Sequence, residues 1–258
     1  MNRFPMKFNY IVSLLFVVFI FSCTDKKEET NSAAAADSAT QEMIEQDSRF
    51  ESVDSSVFRI GNYTFEITPS TESEFDGVKP AIQTIDTSEA KRINPYSSFV
   101  TRNGDSLLFK KPDNEYAYLI NNTNTDSEDF ASYDFIQYMP EIGSWLVMGS
   151  YYEAYGYILV NKTTGDMTQL FGVPVVSPDK KYMLTFNQDL QAGFTFNGFQ
   201  FFEIKDKPVL IGTHELYNWG PDNVVWKDSN TLLVQQAFSR LDEGAEEIKT
   251  AYVEIHIK

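Results

Sequence analysis

The chain has 258 residues, with 21 lysines and arginines against 37 aspartates and glutamates, for a formal net charge of −16. That field repels phosphate polymers, because sequence-independent nucleic-acid binding depends on basic side chains displacing counterions, so the composition excludes nucleic acid as a partner. Phe, Tyr and Trp number 21, 14 and 3, enough apolar surface for a domain of roughly 200 residues to bury a core, and the single cysteine excludes an intramolecular disulfide.

At the amino terminus, residues 1–10 hold Arg3 and Lys7 and no acid, and residues 11–21 are an apolar run, Ile-Val-Ser-Leu-Leu-Phe-Val-Val-Phe-Ile-Phe. At 1.5 Å per residue such a run covers about half of a ~30 Å hydrocarbon layer, so it reads as the apolar core of a secretion signal and not as a spanning helix. Ile20-Phe21-Ser22-Cys23 follows. It resembles the lipobox of bacterial lipoproteins, with an aliphatic residue at −3, a small one at −1 and a cysteine that is acylated before cleavage. Phe21 at −2 is bulkier than that pattern prefers. The resemblance implies a signal peptide over 1–22, a lipid such as palmitate on Cys23, and attachment to the membrane through that anchor. Thr24 stands where many Gram-negative lipoproteins retained at the inner membrane carry Asp, which implies the outer membrane. The charged run Asp25-Lys26-Lys27-Glu28-Glu29 is similar to the export signal of surface-exposed lipoproteins, and it reads equally as a solvated tether.

Residues 23–56 form the expected lipidated, flexible tether. From Thr30 the stretch is rich in Ser, Ala, Thr and Glu and has no large apolar residue before Met43, so it cannot bury enough surface to offset its ordering entropy. The domain is expected over 57–258. There the texture is short aromatic and β-branched runs, at 63–67, 106–109, 116–120, 145–148, 155–160, 182–186, 199–204, 231–234 and 252–257. Turn sequences separate them, Asn103-Gly104, Thr164-Gly165-Asp166, Pro178-Asp179 and Gly220-Pro221-Asp222-Asn223, made of residues that tolerate positive φ or pre-set a turn. No long window carries a helical stripe, so the domain reads as all-β.

An internal repeat is present. Leu119 to Asp126 lines up with Leu159 to Asp166, forty residues later. A second marker, a turn followed by an apolar strand, recurs at 102–105, 139–141, 177–181 and 226–230. A period near forty with about four strands in each is the sequence pattern of propeller blades. The run Val175-Val176-Ser177-Pro178-Asp179-Lys180-Lys181-Tyr182 resembles the hairpin of WD40-like repeats of the TolB type, with Lys180 where glycine is usual. The expectation is a propeller-like array of about four to five four-stranded units, with a β-sandwich as the alternative.

Chemistry-bearing patterns are few. His214 and His256 lie in separate strand-like runs with no second ligand at metal spacing, and no nucleophile elbow, zinc-helix motif, P-loop or dinucleotide fingerprint occurs. No catalytic residue, metal site or cofactor is assigned. Acidic clusters at 72–76, 126–129 and 242–247 read as solvated loops of an acidic protein. As carboxylate pairs or weak Ca²⁺ ligands they are the rival reading. Tyr151, Tyr152, Glu153 and Tyr155 lie in what reads as a loop between two strong strands, where tyrosines serve recognition. These four are the candidate ligand-binding residues. The function expected is a non-catalytic cell-envelope lipoprotein whose domain binds a protein or glycan. The alternative is an envelope hydrolase acting on carbohydrate or peptidoglycan through paired carboxylates.

Overall fold

Short turns lead from the first strand of each sheet, as ordered below, into its second, and they set the architecture. A computed structural model describes residues 56–80, 85–125, 127–242 and 245–258, all within one compact unit. The expected signal peptide, Cys23 and nearly all of the expected tether lie outside these residues.

Among the described residues, sixteen strands make four antiparallel sheets, three of them consecutive in the chain. The first holds β3 (Val100–Asn103), β4 (Ser106–Lys110) and β5 (Tyr116–Ile120). The second holds β6 (Ala131–Met139), β7 (Ser144–Tyr151), β8 (Ala154–Asn161) and β9 (Met167–Leu170). The third holds β10 (Pro174–Val176), β11 (Tyr182–Asn187), β12 (Gly198–Ile204) and β13 (Pro208–Glu215). The fourth is built from both ends of the domain, in the order β14 (Gly220–Trp226), β15 (Thr231–Asp242), β16 (Ala245–Ile257), β2 (Tyr63–Pro69), β1 (Val57–Ile60).

The repeat read from the sequence maps onto this plan. Each of the four turn markers joins the first strand of a sheet to its second: β3 to β4, β6 to β7, β10 to β11 and β14 to β15. Leu119 and Leu159, the start of the forty-residue match, lie on the third strand of the first and second sheets, and both are buried. In the third sheet's turn Lys180 takes φ +60, the left-handed conformation that glycine adopts freely. Ser177 braces that turn, donating to Asp179 at 2.8 Å and accepting from the Tyr182 amide at 3.0 Å.

Neighbouring sheets share cores. Val100, Leu107, Phe109 and Leu119 pack on Phe135, Trp145, Val147, Ile158 and Val160. Leu146, Leu159 and Leu170, from the opposite face of the second sheet, pack on Met183 and Phe202. Leu184, Phe199 and Phe201 then meet Phe58, Ile60, Phe65, Ile67, Val224, Leu232, Val234, Val253 and Ile255 of the fourth sheet. The second sheet is therefore buried on both faces, which is why 145–148 and 158–160 are unbroken apolar runs and do not alternate. β5, at the end of the series, does alternate: Leu119 is buried, while Tyr116, Tyr118 and Ile120 are exposed. Among the described residues no core cluster joins the first sheet to the fourth. There are four sheets of three to five strands, not the two of a sandwich and not uniformly four-stranded.

Two expectations are corrected here. Residues 72–76 are not a loop but most of helix α1 (Glu72–Val78), which starts with a capping box: the Glu74 amide donates to the Thr71 hydroxyl and the Thr71 amide to the Glu74 carboxylate. Its one buried residue, Phe75, packs on Val225, Leu233 and Tyr252 on the outer face of the fourth sheet. Residues 220–223 are not a turn but the start of β14, with a register shift between Pro221 and Asn223 that accommodates the proline's missing N–H. A second helix, α2 (Glu89–Ile93), followed by a 3₁₀ turn (Asn94–Tyr96), precedes the first sheet.

Candidate functional site: a cleft between two sheet edges

β10 is the edge strand of the third sheet and β14 that of the fourth. The two sheets pack face to face, so their edges lie side by side and leave a groove between them. The Trp226 indole bridges it, donating to the Val175 carbonyl at 3.2 Å. The groove opens into a cleft of about 670 Å³, within the range of small-ligand sites. Val173, Val175, Val176, Pro178 and Phe186 form one wall, Asn223 to Trp226 another, and Val78, Lys79 and Pro80 at the end of α1 a third.

Among the described residues this lining is apolar apart from Lys79 and Asn223, with no carboxylate and no histidine. Val78 and Val173 are exposed at its mouth, while Val224, Val225 and Trp226 are buried in its wall. The Lys79 ammonium lies 5.6 Å from the centroid of the Phe75 ring, which keeps a positive charge beside an apolar surface. Such a cleft can desolvate an apolar body and meet one polar or anionic group at its rim. Sequence reasoning missed it because the walls come from three distant segments, and the valines on them look like any strand's.

The four residues expected to bind a ligand lie together at the β7–β8 hairpin, but most of the expected loop is strand. Only Tyr152 and Glu153 form the turn, with Glu153 at φ +56. Tyr151 ends β7, and its hydroxyl, half-buried beside Tyr133, is pushed up to about 12 by burial first and then by the neighbouring phenol. Tyr155 is the second residue of β8, as exposed as Tyr152, and its hydroxyl donates to the Asn187 side chain at 2.8 Å. Asn187 is buried and in turn donates to Thr195 and to the Phe196 carbonyl. The hairpin therefore has two anchored tyrosines at its base and a tip, Tyr152 and Glu153, facing water.

His214 lies on β13 with its ring stacked on Phe58 at 4.0 Å, and burial holds its pKa below the usual range. His256 lies on β16, 3.4 Å from Glu254 and in the Thr231 hydroxyl's reach. The two are on different sheets. Of the acidic clusters, 72–76 lies on α1, where hydrogen bonds from Ser70 and Thr71 hold Glu74 below the ordinary range. Among the described residues no group of three or more His, Cys, Asp or Glu is arranged to hold a metal ion.

A second polar constellation is internal. Arg102 pairs with Glu89 at 2.6 Å, Arg92 pairs with Asp134 and donates to the Phe135 carbonyl at 2.7 Å, and the Phe135 amide donates to Glu89 at 2.8 Å. These bonds clamp α2 between β3 and β6. Burial would raise the Glu89 pKa, but hydrogen bonds from Arg102 and the Phe135 amide outweigh it, and the pKa lies below its ordinary value. Asp134 is raised by burial, which Arg92 only partly offsets and the Glu89 charge reinforces. No protein-family model, curated protein or solved structure matches this chain.

Proposed function

We propose that the protein is a cell-envelope lipoprotein, anchored in the outer membrane through Cys23, whose domain is a non-catalytic binding module in a propeller-like series of sheets. The observation that carries the binding reading is the lining of the cleft between β10 and β14: apolar walls of ligand size with Lys79 and Asn223 as the polar groups and no carboxylate among them. Glycoside or peptidoglycan cleavage through paired carboxylates needs two acids facing one cavity, about 5–10 Å apart. The propeller-like reading is supported by the same kind of turn between the first two strands of three consecutive sheets and between β14 and β15 of the fourth, and by the way β1 and β2 complete that last sheet from the other end of the domain. The anchor reading rests on Ile20 to Cys23 and the apolar run before it.

The ligand that fits is an apolar body, free or on a protein partner, with a polar or anionic group reaching Lys79 or Asn223. The test uses 1-anilinonaphthalene-8-sulfonate, an apolar probe with one anionic group, on the purified protein. Saturable one-to-one binding is expected, lost in V173D and V78D, whose side chains are at the mouth and exposed, with the melting temperature unchanged. Equal binding by both variants sinks the cleft as the site. For the anchor, C23A should abolish palmitate labelling and signal-peptide removal. Continued labelling sinks that part independently.

A further inference from the structure

A second, smaller depression of about 350 Å³ is lined by Ser98, Phe99, Lys110, Lys111, Pro112, Asn114 and Lys162. Three lysines on one depression are unexpected in a chain with a net charge of −16. Lys91, Lys111, Lys181, Lys205, Lys207, Lys227 and Lys258 lie within salt-bridge distance of a carboxylate. Lys111 is among them, held at 3.1 Å by Asp113 and 2.8 Å by Glu115. Lys110 and Lys162 are not: among the described residues neither has a carboxylate within that reach. Two lysines with no carboxylate partner among the described residues thus line one concavity of an acidic protein.

The site is fixed by backbone from three segments. Lys110 ends β4, and its amide donates to the Phe99 carbonyl at 2.7 Å. The β4–β5 turn is closed by Asn114 donating to Lys111 at 3.1 Å and by Asn114 taking φ +65. Lys162 comes from the β8–β9 turn, tied by its amide to the Gly143 carbonyl at 3.0 Å. Its ammonium stands 4.7 Å from the Phe99 ring centroid, 5.2 Å from that of Tyr138 and 5.8 Å from that of Trp145. Ring faces hold an ammonium by their quadrupole without neutralising its charge or using up its N–H donors. Lys162 is therefore ordered and still free to donate.

We infer that this depression is an oxyanion site, in which Lys110 and Lys162 grip the phosphate or carboxylate group of a small ligand while Lys111 is held by Asp113 and Glu115. Charge-assisted bonds from two ammonium groups, one of them held by ring faces, favour a group with several acceptor oxygens. The site is on the first and second sheets, separate from the cleft between β10 and β14, and stands or falls independently of that cleft.

The test follows backbone amide shifts of the isotope-labelled protein during titration with inorganic phosphate, glucose 6-phosphate and glucuronate at low ionic strength. Saturable shifts are expected at Phe99, Asn114 and Lys162 with at least one of the three, and which one responds separates phosphate from carboxylate. K110Q and K162M, each removing one positive charge, should weaken binding roughly tenfold, as loss of a charge-assisted bond does. K162M keeps a long apolar side chain over the rings, and K110Q lies outside the aromatic stack, so a melt of each separates binding from packing. K180Q, on the exposed β10–β11 turn, should bind like the parent. No saturable shift with any probe, or parent-like affinity in both K110Q and K162M, overturns the inference.

Discussion

The Trp226 indole N–H donates to the Val175 carbonyl at 3.2 Å, joining the edge strands of two different sheets side chain to backbone. An edge strand has backbone groups with no ladder partner, and this bond satisfies one of them where the third and fourth sheets meet. W226F keeps most of the ring and removes the donor. We expect a loss of about 1 kcal/mol in a urea melt, the net worth of one hydrogen bond whose carbonyl can turn to water in the cleft. A loss beyond about 3 kcal/mol would mean that the ring's packing, and not the bond, joins the sheets.

The hairpin tyrosines separate by role. Tyr155 ties β8 to Asn187 at the end of β11, so Y155F should cost about 1 kcal/mol, because it leaves a buried amide oxygen without its donor. Tyr152, half exposed at the tip, should tolerate alanine within about 0.5 kcal/mol. If the tip contributes to partner capture, Y152A weakens it with no change in stability. Comparable destabilisation by Y152A and Y155F, measured by denaturant midpoint, would contradict this division.

The sequence made the sheets legible wherever a turn announced the next strand. Asn103-Gly104 and Ser177-Pro178-Asp179 work because their residues can adopt the backbone the turn demands, whatever the rest of the chain does. Local chemistry misled at Gly220-Pro221-Asp222-Asn223, where tertiary pairing with Ala237, Gln236 and Gln235 holds turn-forming residues in a bulged edge strand. α1 was hidden because a seven-residue helix with one buried side chain has no periodicity to read. The Thr71–Glu74 capping box was its only local signal. The tyrosines of the β7–β8 hairpin were visible as residues, but not their bonds to Tyr133 and Asn187, which come from other strands. Neither the cleft nor the lysine depression could be read, since each joins segments tens of residues apart.

The clamp on α2 should give stability an acid limb with two opposing contributions. Glu89 has its folded pKa below its unfolded value near 4.3, so its stabilisation is complete above that value and lost as pH falls through the folded pKa. Asp134 has its folded pKa raised, so protonation relieves the fold, and its contribution grows more favourable as pH falls from its folded pKa. In urea melts between pH 7 and pH 3, E89Q should be less stable at neutrality and lose less stability on acidification than the parent. D134N should lose more, because the compensating protonation is gone. Parallel pH curves for all three proteins would show that the titrating groups lie elsewhere.

The last sheet predicts where the domain can be cut. β2 lies between β16 and β1, so it is an interior strand of the fourth sheet with β1 at that sheet's edge, although the two are the first described strands in the chain. Phe58, Ile60, Phe65 and Ile67 are all buried in the core shared with the third sheet. Burying such a side chain is worth about 1.5–3 kcal/mol, so together the four contribute at least about 6 kcal/mol, comparable with the whole stability of a typical domain. Removing β2 also leaves β16 as a new unpaired edge, open to pairing with other chains. A chain starting at residue 56 should melt cooperatively near the temperature of the longer protein. One starting at residue 70 should lose the cooperative transition or aggregate, as read by near-ultraviolet circular dichroism and light scattering. A cooperative melt of the shorter chain within a few degrees of the parent would show that the first three sheets carry the stability without the N-terminal strands.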